Sequence, residues 1–289
     1  MNPKHIFPIL SMLALLTALL ACNLPNTPLN ATPTAADLPE ASATNPTVEE
    51  PTATSTPEGS NVTYAGVSFT IPTALGGIGT SEPVAAMDNE SGPGWDTAPA
   101  YTKFTLKDYP LSNSALEPKI YVYPATEYET VNSGAAESLK RLRALLASTE
   151  MEINKQTAPF IPFFNATPLF ETQSLRIKFQ NGAGIRILTQ YEQAPMPVNN
   201  HDAVYQFEGL TSDGKYYVIA LFPISSPTLQ ADSSIDSPVP SGGIAFNESD
   251  PAAYFDAVSQ NLNNAAPESF TPTLTSLDAL ITSIKVTAP

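Results

Sequence analysis

The clearest signal along the chain is an apolar period of two that begins at Val67. Val67, Phe69 and Ile71 alternate with polar neighbours up to Pro72, which predicts a strand opening a folded region. Residues 103–106 and 119–123 predict two more strands. In the second of these, Ile120 and Val122 share one face while Tyr121 and Tyr123 share the other. The period then lengthens. Leu139, Leu142, Leu145 and Leu146 recur at helical spacing with Glu137 in the first turn, which predicts an amphipathic helix over 135–147. Two hairpins are expected next: residues 174–180 with 184–191 through Asn181-Gly182-Ala183, and residues 203–210 with 215–224 through Asp213-Gly214. The second dipeptide suits a type I′ turn.

Tyr216 to Phe222 is apolar on both faces, as in a central strand covered on both sides. Ser249-Asp250-Pro251 supplies an N-cap and a helix-starting proline for a helix that buries Tyr254, Phe255, Val258 and Leu262. A last helix is expected over 272–282, burying Leu274, Leu277, Leu280 and Ile281, and a strand over 283–286 closes the region. Hairpin-linked strands with helices between and after them indicate an α+β fold, an antiparallel sheet with amphipathic helices packed on it. The order of elements is similar to the PsbP-like fold in layout, a similarity without a motif that implies no function.

The first part of the chain has a different pattern. Lys4 precedes an almost wholly apolar, uncharged stretch over 6–21 that is interrupted by Pro8, the layout of an export signal. It is short for a permanent membrane span. At its end stands Leu19-Leu20-Ala21-Cys22, which resembles the lipobox of bacterial lipoproteins. The resemblance implies cleavage after Ala21, lipid on Cys22, and an address on the extracytoplasmic face of the cell membrane. Anchoring through two or more acyl chains would be stable, because each buried methylene contributes about 0.8 kcal/mol. Cys22 is the single cysteine of the chain, which excludes a disulfide framework and any other catalytic thiol.

Prolines, threonines and acidic residues then recur over 22–60, a composition that cannot bury a core and reads as a disordered tether. The expected organisation is a signal peptide over 1–21, a tether over 22–60 and one globular domain over 61–289.

Charge narrows the partners. The formal net charge is −15, and no Lys or Arg lies between Lys4 and Lys103, so nucleic acid and anionic headgroups are poor partners. Chemistry is sparse. His201, in Asn199-Asn200-His201-Asp202, is the one histidine after the signal, too few for a histidine metal site or a two-histidine mechanism. Asp88-Asn89-Glu90-Ser91-Gly92 with Asp96 offers oxygen ligands for calcium but lacks the twelve-residue loop pattern. No cofactor motif is present. Trp95 suits stacking on a sugar or peptide, although its size and hydrophobicity favour burial beneath its loop.

Two functions of different class survive. One is a non-enzymatic surface domain that binds an extracellular ligand or protein; the other is an anchored hydrolase using carboxylates or a Ser–Lys pair. A two-lobed transporter receptor would require βαβ alternation, which the chain lacks.

The side-chain period also yields a register for the first hairpin. Placing Leu175, Ile177 and Phe179 on one face with Ile185 and Ile187 pairs Phe179 with Ile185 and Lys178 with Arg186. The two cations would then face each other with Arg176 nearby, which requires either a neighbouring carboxylate such as Glu208 or Glu192, or an anionic ligand.

Overall fold

A run as apolar as Tyr216 to Phe222 is stable only between two covered faces, and the chain folds around it. The computed structural model describes residues 58–88, 90, 93–150 and 153–287. The expected signal, Cys22 and residues 22–57 of the expected tether lie outside the described residues, and the described residues belong to one compact unit.

The first strands are β1 (Gly59–Tyr64), β2 (Val67–Pro72), β3 (Ile78–Val84), β4 (Tyr101–Lys107) and β5 (Lys119–Pro124). Helices α1 (Ala125–Val131) and α2 (Ser133–Ala147) follow, then β6 (Thr167–Pro168), β7 (Thr172–Phe179), β8 (Gly182–Thr189) and β9 (Tyr191–Glu192). The chain continues through β10 (Val204–Thr211), β11 (Tyr216–Pro223), α3 (Pro251–Asn263), α4 (Leu274–Ser283) and β12 (Lys285–Val286). Strand β1 takes in Gly59 and Ser60, which composition had placed in the tether.

The architecture is α+β. A seven-stranded antiparallel sheet has the order β3-β4-β5-β11-β10-β8-β7, with β11 at its centre. A small sheet, β1-β2-β12, and a two-residue ladder, β6-β9, accompany it. Alternation along β11 divides its side chains. Val218, Ala220 and Phe222 pack with α3, α4 and β2, whereas Tyr217, Ile219 and Leu221 pack with α1 and α2. Strand β5 divides as expected, with Ile120 and Val122 towards α4 and Tyr123 towards α1.

Helices α2, α3 and α4 are capped at their N-terminal ends by side chains. Asn132 Oδ1 accepts from Ala135 N at 3.0 Å, Asp250 Oδ1 from Ala253 N at 3.1 Å, and Thr273 Oγ1 from Ser276 N at 3.2 Å.

The register of the first hairpin differs from expectation. Phe179 pairs with Gly182, Ile177 with Gly184 and Arg176 with Ile185, so the connection is the two residues Gln180-Asn181. The expected pairing assumed that every apolar side chain of the hairpin shares one face. Both faces are covered, so Ile177 and Phe179 go to one core and Ile185 and Ile187 to the other.

Glycines favour this arrangement. A Cβ at Gly182 would stand 2.1 Å from Phe179 Cζ, and one at Gly184 would stand 2.4 Å from both Phe207 Cζ and Glu208 O. The missing side chains make room for the two phenyl rings. The turn is also tied to the last strand, since Gln180 N donates to Ile284 O at 2.9 Å and Val286 N to Asn181 Oδ1 at 3.0 Å.

The three cations are therefore apart. Arg186 Nη1 meets Asp278 Oδ2 at 2.7 Å, and its Nε and Nη2 donate to Gln173 O at 2.9 and 2.7 Å. A bulge in β7, with Gln173 at φ 52°, aims that carbonyl at the guanidinium. Arg176, on the opposite face, donates to Leu145 O and Ser148 O at the C-terminal end of α2, where a cation satisfies free carbonyls. Lys178 is exposed.

The second hairpin has the expected strands but another turn. Only Gly214 has positive φ (73°), and its N–H bonds Thr211 O at 2.8 Å, so the reversal spans Ser212 to Lys215 and is not a two-residue type I′ turn.

Candidate functional site

Four separate segments converge on one cleft, and each is fixed by local chemistry. Trp95 lies on a single 3-10 turn, Gly94–Asp96. Asn132, besides capping α2, donates through Nδ2 to Trp95 O at 3.1 Å and Thr97 O at 2.9 Å. Trp95 is 41 % exposed, so the expected burial beneath its loop does not occur. Phe163 and Phe164 follow Pro162 in the approach to β6, where Ile161 N donates to Tyr191 Oη at 2.9 Å. Tyr191 and Glu192 form β9, whose pairing with β6 sets their position.

The fourth segment is the loop around His201. Asn199 Oδ1 accepts from His201 N at 2.9 Å and Asp202 N at 3.1 Å, while Asn199 Nδ2 donates to Asp202 Oδ2 at 2.9 Å. His201 Nδ1 lies 2.6 Å from Asp202 Oδ1, and the ring is partly exposed.

Together with Ala115 and Leu116, these segments line an open cleft of about 360 Å3 whose walls include Trp95, Phe163, Phe164, Tyr191, Glu192 and Asp202. That volume is in the range of small-molecule sites. The rings form a corner. Phe163 and Phe164 have centroids 5.3 Å apart at 85°, and Phe164 and Tyr191 are 4.9 Å apart at 74°. Beyond Phe163 lies a second cavity of about 220 Å3, lined by Tyr101, Tyr121, Tyr123 and Tyr128. Burial pushes the phenols of Tyr121, Tyr123 and Tyr128 up, so they are neutral at physiological pH.

The electrostatics of the cleft are one-sided. No lysine or arginine lines it. Burial raises the Glu192 carboxyl above the ordinary range and the charge of Asp202 adds to the rise, while the hydrogen bond from Gln190, 3.3 Å to Oε1, opposes it.

A buried network starts at the cleft wall. Tyr191 Oη donates to Gln206 Oε1 at 2.7 Å, and Gln206 Nε2 donates to Glu208 Oε1 at 2.6 Å. Glu208 is fully buried and also accepts from Ser138 Oγ at 2.7 Å and from the Tyr217 hydroxyl. Burial raises it to about 7 although all three hydrogen bonds pull it down. Glu208 is thus the polar centre beneath α2, and it does not pair with the hairpin cations.

Among the described residues no group of three or more His, Cys, Asp or Glu side chains is placed to hold a metal ion, and no helix is long and apolar enough to cross a membrane. Cys22, the expected lipid attachment point, lies outside the described residues. The aromatic corner is the part sequence reasoning missed; exposed Trp95 was the one available signal. Comparison with family models, with curated proteins and with solved structures found no match.

Proposed function

We propose that this chain is a lipoprotein held by lipid on Cys22 at the extracytoplasmic face of a bacterial membrane, where its tethered domain binds a ligand without chemical turnover. One observation carries the binding role. An open cleft lined by exposed Trp95 and by partly buried Phe163, Phe164 and Tyr191 leaves aromatic surface that a domain without a ligand would gain stability by burying. The tether, with its prolines and acidic residues, would carry that cleft away from the bilayer.

Two experiments test the reading. Cys22→Ser should release the protein from membranes or leave the signal uncleaved; unchanged fractionation with normal cleavage would overturn the anchor. Trp95 is the sole tryptophan, so its fluorescence reports the cleft directly. A saturable change with small-molecule, glycan or peptide ligands is expected, and silence across all three classes would remove the binding role.

A second reading, hydrolysis, has one observation in its favour: Glu192, raised by burial and by Asp202, shares the cleft with that second carboxylate. Turnover of a glycan substrate that is abolished by Glu192→Gln would replace the binding reading with this one.

A further inference from the structure

Several carboxylates of the domain are paired with a lysine or arginine. Glu82 meets Lys103 at 2.7 Å, Glu117 meets Lys119 at 2.7 Å and Asp278 meets Arg186 at 2.7 Å. Glu192 and Asp202 line a cavity without lysine or arginine. Their amide donors, Gln190 Nε2 at 3.3 Å and Asn199 Nδ2 at 2.9 Å, are neutral, and Asp202 Oδ1 also lies 2.6 Å from His201 Nδ1. Two carboxyl groups thus line one open space whose walls hold no lysine or arginine.

The walls of that space have the complementary property. Aromatic faces carry negative potential, and three of the rings lining the cleft, Phe163, Phe164 and Tyr191, differ in orientation, at 85° and 74° to their neighbours.

We propose that the cleft binds an organic ammonium ion on a small apolar body, with Phe163, Phe164, Tyr191 and Trp95 around the cation and Glu192 and Asp202 as its counter-charges. The inference rests on the reading that the cleft is a ligand site. An anion would meet two carboxylates and no cation. A neutral ligand would gain aromatic contact yet leave the repulsion between Asp202 and Glu192 in place. A cation between them relieves that repulsion, and in a partly desolvated site its attraction to the rings is stronger than in water. The volume of about 360 Å3 admits a small ligand of this kind.

The test titrates the chain with choline and with its uncharged carbon isostere dimethylbutanol, reading Trp95 fluorescence. Choline should saturate the signal, and the isostere should bind at least about tenfold more weakly. Glu192→Gln and Phe164→Leu, made separately and checked for folding by circular dichroism, should each weaken choline by about tenfold, so that one misfolded variant does not decide the matter. Equal affinity for choline and the isostere, or choline binding indifferent to both variants, would overturn the proposal. A response to neutral oligosaccharides with none to choline would overturn the cation while leaving the binding role standing. Silence to choline and to every other ligand class would remove both.

Discussion

Arg186, on the sheet face covered by α3 and α4, meets a full counter-charge in Asp278 and two further bonds to Gln173 O. Glu208, on the face covered by α2, meets no cation and is held by Ser138, Gln206 and Tyr217, all neutral donors. The difference follows from the groups themselves. A guanidinium cannot shed its charge, so burying it requires an anion, and the bulge in β7 with its left-handed Gln173 contributes to that cage. A carboxyl can take up a proton instead, so neutral donors suffice and the cost of burial appears as a raised pKa. One face therefore has a fixed ion pair and the other a titratable centre.

The largest expected effect breaks the fixed side. Asp278→Ala leaves the guanidinium buried without its anion and should destabilise the domain by about 3 kcal/mol, the low end of the range because the Asp278 side chain is 24 % exposed. Chemical denaturation measures this. A loss below about 1 kcal/mol would show that water reaches Arg186 and that the two faces treat buried charge alike.

The titratable side is tested by pH. Glu208 is raised to about 7 in the folded chain, against an ordinary carboxyl near 4.3 when unfolded. Between these values the folded state holds a proton that the unfolded state has lost. The stability from protonated Glu208 is therefore complete below about pH 4 and lost as pH rises through about 7, on the order of 3 kcal/mol in all. Glu171, also raised to about 7 by burial, slopes in the same direction, so the profile of Glu208→Gln should be compared with that of Glu171→Gln. A slope unchanged in Glu208→Gln would mean that Glu208 stays ionised when buried.

A smaller effect tests why the hairpin places its residues on both faces. Gly184→Ala puts a methyl group 2.4 Å from Phe207 Cζ and Glu208 O, and the backbone oxygen cannot move freely. A loss of about 1–3 kcal/mol is expected from thermal or chemical melts. No loss would mean that the glycines do not select the register.

That register marks where the sequence stopped being legible. Apolar alternation found β2 and β5, a run apolar on both faces found β11 and its hairpin partner β10, leucines at helical spacing found α2, and an N-cap followed by proline found α3, because in each of these one local pattern decides the outcome. In β7 and β8 both faces are buried, so alternation cannot say which apolar set faces which core, and Phe179 opposite Gly182 is visible only in three dimensions. Strands β1 and β3 were missed because most of their residues are exposed or half-exposed and show no apolar stripe. Their neighbours gave little help: the β1–β2 turn uses Ala65 at φ 45° with Gly66, where Asn or Asp would have marked it. The cleft was illegible for a further reason. Trp95, Phe163 and Tyr191 come from separate segments, and no spacing in the chain links them.

The smallest expected effect compares the helix caps of the two faces. Asp250 caps α3 on the surface through one bond, at 3.1 Å from Ala253 N, so Asp250→Ala should cost about 1 kcal/mol and leave the rest of the domain unchanged. Asn132 makes the equivalent bond at the start of α2, but its Nδ2 also donates to Trp95 O and Thr97 O in a buried setting. Asn132→Asp preserves the capping oxygen and removes those two donors, which separates the two roles. It should shift the Trp95 fluorescence maximum, because the turn carrying the indole loses its tie to α2, whereas Asp250→Ala should not. If Asp250→Ala moves the Trp95 signal as much as Asn132→Asp does, the cleft depends on general stability and not on the cap of α2.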